Sequence, residues 1–542
     1  MVRNKTRFFL LILALCCFSS ALWAKVERLR LMWYDDPATQ AVVGWDQVSG
    51  SDPVLLLDNA DHGTQAEGYA FSFNPDVVHD AKGMHNHFVH LRGLRPNTTY
   101  YFVIKDSEGV SMRYYFTTAP DNAGERLSII AGGDSRNNRD ARRDANLLVA
   151  KLKPHCVLFG GDYTLDDLPD QWVRWMDDWQ LTIADDGRMT PIVPTRGNHE
   201  ESNRTLVDVF GSPYQHAYFG TTIGGDLLRV YTLNTMLPAG AEQRDWLERD
   251  LRSNQNVRWK IAQYHHPMRP HTTKKWEKND LVVHWAPLFE RYGVDLAVEC
   301  DAHVVKATWP IRPSFGSEGD GGFVRDDLAG TVYIGEGCWG APLRIADDNK
   351  TWTRASGSFN QFHWIFIDKD KIEIRFVKTD GAATVASVDL NDRFSIPRGL
   401  SVWSPPNGDV ITIPYFRQPM QPEDDMLAAR AVIDQAPAPQ KGPALQPAIT
   451  DELADWDISP QLVADPHGEV KVKYTVVQHC DVVVRVVNLD KREVFRKEFK
   501  HQRPGEYLKS VWLDKLPRGR YLIIIKDATN RRLLRRFRLI KR

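Results

Sequence analysis

Cysteine is scarce in this sequence, with six residues in a chain of 542. Cys16 and Cys17 sit inside an N-terminal apolar run. The other four, Cys156, Cys300, Cys338 and Cys480, show no CxxC spacing, which argues against a zinc-finger or disulfide-framework protein. Cys156 and Cys300 lie in apolar stretches and read as core thiols. Long apolar segments are missing too. Phe8 to Phe18 is a run of only 11 residues, too short to cross a bilayer, and no later segment is long and apolar enough. Neither sign of charge dominates, since the net is −1. A nucleic-acid-binding profile for the whole chain is therefore not expected.

What is present is unevenly distributed. Arg3, Lys5 and Arg7 precede the apolar run and Ser19 to Ala24 (SSALWA) follows it, so residues 1–24 read as a secretory signal peptide. The expectation is a secreted or periplasmic protein. Residues 456–542 carry a net charge of +11, whereas 25–455 carry −15. The basic end is suited to an anionic cell surface or envelope.

The texture of the chain changes along its length, and 542 residues exceed one ordinary core. Residues 25–120 alternate apolar and polar over Arg28 to Tyr34, Thr39 to Trp45 and Asn86 to Thr117, which predicts a β-sandwich. Over 125–395 short apolar strands end in Gly/Asp turns and alternate with helical stretches, which predicts a layered α/β domain. Residues 396–455 are rich in Pro, Ala and Gln and read as a linker. Residues 456–542 alternate again, in six or seven short strands, and predict a small β-sandwich. The fold class is thus multidomain: an N-terminal β-sandwich, a central α/β sandwich and a C-terminal β-sandwich.

The middle region carries the chemistry. Five apolar strands each stop at an Asp, Asn or His. They are Ser128 to Asp134 (SIIAGGD), Val157 to Asp162 (VLFGGD), Pro194 to Glu200 (PTRGNHE), Ile261 to Pro267 (IAQYHHP) and Leu296 to His303 (LAVECDAH). Ligands belong at such places, because the crevice of an open α/β sheet lies beyond the carboxyl ends of its strands. Carboxylates, amide oxygens and imidazoles together can cage two hard cations. One Gly-Asp after a strand is an ordinary turn. Five ligand-bearing turns in sequence form a pattern.

That series resembles the calcineurin-like metallophosphoesterase family. Trp45, Leu91 to Pro96 with Tyr100 and Tyr101, and Tyr115 to Pro120 resemble the fibronectin type III domain that precedes catalysis in plant-type purple acid phosphatases. Together they point to the purple acid phosphatase branch over roughly residues 28–380. The resemblance implies two divalent or trivalent metal ions (Fe, Mn or Zn) and attack on a small phosphate mono- or diester by a metal-bound hydroxide. Asp134 and His303 would hold the first metal, Asp162 would bridge, and Asn198, His265 and Asp301 would hold the second. His199 would contact phosphate or protonate the leaving group. Arg136 stands where other branches of the superfamily place a metal-binding His; it cannot ligate a cation, and its charge suits phosphate oxygens instead.

Three departures from the family pattern stand out. The branch has a metal-binding tyrosine three residues after the bridging Asp, and here that position is Leu165. Tyr163 is expected to point away from the metals. Asp301 replaces the first His of a Gly-His-x-His turn, a hard oxygen ligand that shifts preference from zinc toward Mn, Fe or Ca. After His265, the substrate-greeting histidines give way to His271, Lys274 and Lys275, with the lysines expected on a solvated loop. These losses keep a second reading open, a weakened or inactive metallophosphoesterase fold that serves as a binding or cell-surface protein.

Overall fold

The computed structural model of the chain describes residues 24–415 and, beyond them, 461–463, 469–476, 480–488, 493–503, 505–513, 516–517, 519–528 and 533–541. The expected signal peptide lies outside these, except for Ala24, as does the stretch 416–455 of the expected linker.

Two sheets build the central domain. In the first, strands Leu127–Gly132, Cys156–Phe159 and Ile192–Pro194 run parallel. Gln361–Ile367 and Lys371–Lys378 extend it antiparallel on one side. The second is seven-stranded, with Leu228–Thr232, Trp259–Gln263, Leu296–Val298 and Val332–Gly335 parallel at its centre. Strand side chains alternate between faces, and the consequence is visible. Ile261, Leu296, Val298 and Ile334 join the apolar core that also holds Ile129, Leu158 and Val193 of the first sheet. Their neighbours Ala262, Ala297 and Tyr333 pack instead with Leu247 and Leu251 of helix Glu242–Ser253 and with Leu288 and Phe289 of helix Ala286–Tyr292.

Helices on the first sheet follow the same logic. Helix Arg139–Leu152 buries Ala145, Leu148, Val149 and Leu152, the spacing that puts one stripe on the core. It ends where Lys153 turns left-handed at φ 46°. Helix Pro169–Trp179 starts on a proline, which is preorganised for the first turn, and buries Trp172, Trp175 and Trp179.

The N-terminal sheet-rich domain is joined to this body more closely than the sequence suggested. A separate sandwich was expected over 25–120. One of its sheets, Phe71–Phe73, Val54–Asp58, Thr99–Lys105 and Tyr114–Thr117, is indeed its own. The other, formed by Val26–Met32, Ala41–Gln47, Met84–Leu91 and Val77–Ala81, continues the first sheet of the central domain, because Val26–Met32 pairs in parallel with Ile192–Pro194. The whole sheet therefore has 11 strands. A parallel pairing between strands 160 residues apart (Met32 opposite Ile192) leaves no local pattern to read.

Part of the linker expected over 396–455 is strand instead. Ser401–Val402 and Val410–Pro414 both pair with Lys371–Lys378, so the first sheet of the central domain runs to Pro414. Prolines dominate the composition there, but the short VITIP run buries Ile411 in the main core. Toward the C-terminus, five strands form one sheet and Glu469–Val476 pairs with Gly505–Trp512 in another. Val472 and Tyr474 from the second share a core with Val484 and Ile523 from the first.

Candidate metal centre

The five ligand-bearing turns converge. Asp134, Asp162 and Asn198 follow three adjacent strands of the first sheet, and His265, Asp301 and His303 follow or precede strands of the second. Asp134, Asp162, Asp301 and His303 all hold positive φ, at 60°, 56°, 69° and 55°. Non-glycine residues pay for that conformation with about 1 kcal/mol or more each, and such strain collects at functional sites.

Two clusters of ligand atoms result. One ligand atom each from Asp134, Asp162 and His303 lies within 4.8 Å of the others, and the same holds for His265, His266 and Asp301. His303 Nδ1 lies 2.9 Å from the Pro342 carbonyl, which fixes its proton there and leaves the Nε2 lone pair facing Asp134 Oδ1 at 3.2 Å. Both of these buried atoms lack a hydrogen-bond partner. His265 Nδ1 is likewise held by the Gly160 carbonyl at 2.8 Å. Its Nε2 faces Asn198 Oδ1 at 3.0 Å, Asp162 Oδ1 at 3.2 Å and Asp301 Oδ1 at 3.7 Å. Backbone-anchored imidazoles presenting Nε2 to a ring of oxygens are what metal-binding histidines require. The donor set therefore fits hard cations, and Asp162, a member of one cluster, also faces His265 of the other.

Electrostatics agree. Burial opposes protonation of His265, yet Asp162, Asp134 and Asp301 overcome it and push the imidazole up to about 10. This pocket demands positive charge. Burial, with Asp162 and Asp301 adding, pushes the Asp134 carboxyl up to about 7. Burial works to raise Asp301 as well, but the Lys275 ammonium and the imidazoles of His266 and His265 hold it well below the carboxylate range.

The backbone around the ligands is closely fitted. Glu200 accepts from the backbone N–H groups of Gly197 at 2.7 Å, Asp162 at 3.1 Å and Tyr163 at 3.0 Å, tying two ligand turns together. A Cβ on Gly337, which sits at φ 92°, would lie 2.4 Å from Asp134 Oδ2. Glycine is required there both by conformation and by the close approach.

A family model for the purple acid phosphatase N-terminal domain matches residues 26–118, and one for the calcineurin-like phosphoesterase matches residues 131–305. Two successive stretches of the chain are thus similar to a purple acid phosphatase N-terminal domain and to a calcineurin-like phosphoesterase. Purple acid phosphatase PPD1 from yellow lupin (Lupinus luteus) seeds is 18% identical with a TM-score of 0.55, over 68% of this chain and 76% of that one. The structure of PhoD is 11% identical with a TM-score of 0.50, over 75% of this chain and 97% of that one. Both likenesses are of fold. An uncharacterized Mycobacterium tuberculosis protein, matched in two strains, is 23% identical over 342 residues, 54% of this chain. The match spans 64% of that relative's length.

Within the matched residues 131–305 the departures take definite form. Tyr163 is fully buried, its ring stacks on Phe159 at 4.7 Å, and its hydroxyl donates to the Thr195 carbonyl at 3.1 Å. It points away from the ligand atoms, as expected. The Leu165 carbonyl accepts from His199 Nδ1. Burial pushes His199 down to about 4 despite Asp162, and its unpartnered Nε2 lies 3.6 Å from Asp162 Oδ2. Arg136 is buried with Nη2 3.3 Å from Asp162 Oδ2.

The lysine expectation was half right. Lys274 is exposed, but the Lys275 side chain is only 13% exposed and bonds Asp301 Oδ1. His271 faces no ligand atom of either cluster: it is buried with Nε2 2.7 Å from Thr353 Oγ1. Sequence reasoning missed three neighbours. His266 was read only as part of the strand-end motif, yet it joins a ligand cluster. Glu200 was visible in GNHE without a role. Arg344, from a loop without any motif, donates from Nη1 to the Asp301 carbonyl at 3.1 Å.

Proposed function

We propose that this chain is an exported metal-dependent phosphoesterase that hydrolyses small phosphate mono- or diesters at a two-cation centre. The observation that carries the reading is the place of Asp162, whose carboxylate stands among the ligand atoms of Asp134 and His303 and also faces His265 Nε2. Asp134, Asp162 and His303 would hold one cation. Asp162, Asn198, His265 and Asp301 would hold the other, with His266 beside them. Such a pair, when bound, supplies Lewis-acid stabilisation and water activation near neutral pH. Fe, Mn or Zn suits the set, and the oxygen-rich second half favours Mn or Fe over Zn.

The chain's own groups do the rest. Arg136, already on the site side of Asp162, offers its guanidinium to phosphate oxygens. The Nδ1 proton of His199 is committed to Leu165, so Nε2 meets the substrate as an acceptor. To serve a leaving oxygen it must first take up a proton at Nε2, which an incoming dianion favours.

The apolar run at 8–18 behind a basic start supports export to the periplasm or cell exterior. The +11 charge of 456–542 supports attachment to an anionic envelope surface rather than to nucleic acid. A second reading, an inactive binding protein, draws on two ion pairs: Arg136 with Asp162 and Lys275 with Asp301 already neutralise two of the three carboxylates. Metal analysis of the purified protein with mono- and diester hydrolysis separates the two. About two bound metals per chain with turnover is the expected result. A folded protein that takes up no Mn, Fe or Zn and hydrolyses neither ester belongs to the second reading.

A further inference from the structure

The loop after His265 is held at several points. Thr273 donates from its backbone N and its hydroxyl to Asp347 at 2.8 and 2.9 Å, the Lys278 N–H donates to the Met268 carbonyl at 3.1 Å, and Glu277 pairs with Lys350 at 3.3 Å. Its neighbours Lys274 and Trp276 face solvent, Trp276 at 79% exposure. Lys275 alone of the three turns inward, and its ammonium bonds Asp301 Oδ1. That same oxygen faces His265 Nε2. The ammonium therefore stands on an oxygen that a second-half cation would use.

We propose that Lys275 is an exchangeable internal cation: it occupies Asp301 until the second metal ion arrives, and is then released to hold an oxygen of the substrate phosphate. The proposal rests on the two-cation reading above. An ammonium and a divalent ion on one carboxylate oxygen repel each other strongly at these distances in a buried site, so one excludes the other. Lysine suits the exchange, since its charge rides on a flexible four-carbon stem with three rotatable donors. An arginine in this place would present a planar fork instead. Asp301 itself stays placed, because its backbone N–H donates to Asp134 Oδ2 at 2.8 Å and its carbonyl is held by Arg344. Release of Lys275 thus needs no movement of the ligand. The freed ammonium stays tethered by the pinned loop beside Asp301, within reach of a phosphate bound at the same ion. This gives the aspartate at 301 a second consequence. The family histidine, neutral as a ligand, would offer no anion for a lysine to hold.

The test is a Mn2+ titration of the full chain by calorimetry, followed by titration of the loaded protein with inorganic phosphate, on wild type, Lys275→Met and Lys275→Arg. Each variant is first checked for a cooperative melting transition well above the titration temperature, since loss of the buried pair with Asp301 lowers stability by itself. Lys275→Met should tighten the weaker Mn2+ site about tenfold or more while the tighter site keeps its affinity, and should weaken phosphate binding by a similar factor. Lys275→Arg keeps the charge and should keep the weak second site. Two Mn2+ sites of unaltered affinity in Lys275→Met would overturn the exchange and leave the phosphoesterase reading standing. A tightened second site with unaltered phosphate affinity would overturn the transfer of Lys275 to substrate. A wild-type protein that binds no Mn2+ would remove both this proposal and the function it rests on.

Discussion

His265 holds its Nδ1 proton on the Gly160 carbonyl at 2.8 Å and turns Nε2 toward Asp162 Oδ1 at 3.2 Å. Gly160 and Asp162 belong to one strand-end turn, so that turn both sets the imidazole's tautomer and supplies the carboxylate it faces. Replacing Asp162 by Asn leaves the shape but removes the charge that two close cations need. Asp162→Asn should lose at least about 1,000-fold in turnover and fall below one metal per chain by elemental analysis. Wild-type metal content with wild-type rate would take Asp162 out of the centre.

Gly337 touches the centre without being a ligand. Because its Cβ would sit 2.4 Å from Asp134 Oδ2 at φ 92°, Gly337→Ala must displace Asp134 or the backbone. The expected outcome is a loss of about 1–3 kcal/mol in urea unfolding together with weaker binding at the Asp134 half of the centre. A variant as stable and as metal-rich as wild type would show that the turn relaxes freely.

Tyr163 bears on colour. Its hydroxyl is spent on the Thr195 carbonyl inside an aromatic cluster with Phe159, Trp172 and Trp175. Iron-loaded protein should therefore show no strong visible tyrosinate-to-iron band. Tyr163→Phe should leave the visible spectrum unchanged and cost about 1 kcal/mol for the lost hydrogen bond. A visible band that vanishes in this variant would place the phenol on the metal.

Asp295 supplies a pH test away from the centre. Burial pushes its carboxyl up to about 7, although the Lys260 N–H donates to it at 2.8 Å. A group whose pKa is raised by folding contributes its stability below the unfolded value, near 4 for an aspartate, and loses it as pH rises through the folded value. Asp295→Asn keeps an acceptor and removes the titration. Its stability relative to wild type should rise between about pH 4 and 7 and level off above, a swing on the order of 1–4 kcal/mol. Parallel urea curves for the two proteins at pH 5 and pH 8 would refute the shift.

The C-terminal strands supply none of the ligand atoms in either cluster. Because Val410–Pro414 belongs to the catalytic sheet, a truncation should end after Tyr415 rather than earlier. That truncated protein should keep its hydrolytic rate and metal content and lose retention on anionic vesicles. Undiminished vesicle retention would refute the assignment of the basic end to surface attachment.

The convergence of Asp134, Asp162, Asn198, His265, Asp301 and His303 was legible in the chain alone, because each ends or follows a short apolar strand and sheet topology sends such ends to one edge. The inward alternation of Val482, Val484 and Val486 was legible for the same local reason, a period of two. Tertiary structure decided what no local pattern encodes. It paired Met32 with Ile192 and so fused the N-terminal sheet to the catalytic one. It turned Lys275 inward while Lys274 stayed in water, a choice made by a carboxylate 26 residues away. It brought Arg344 to the Asp301 carbonyl from a loop with no motif. Strand ends and periodicity are written in neighbouring residues, whereas sheet partners and buried charge pairs depend on which distant segments desolvate the same volume.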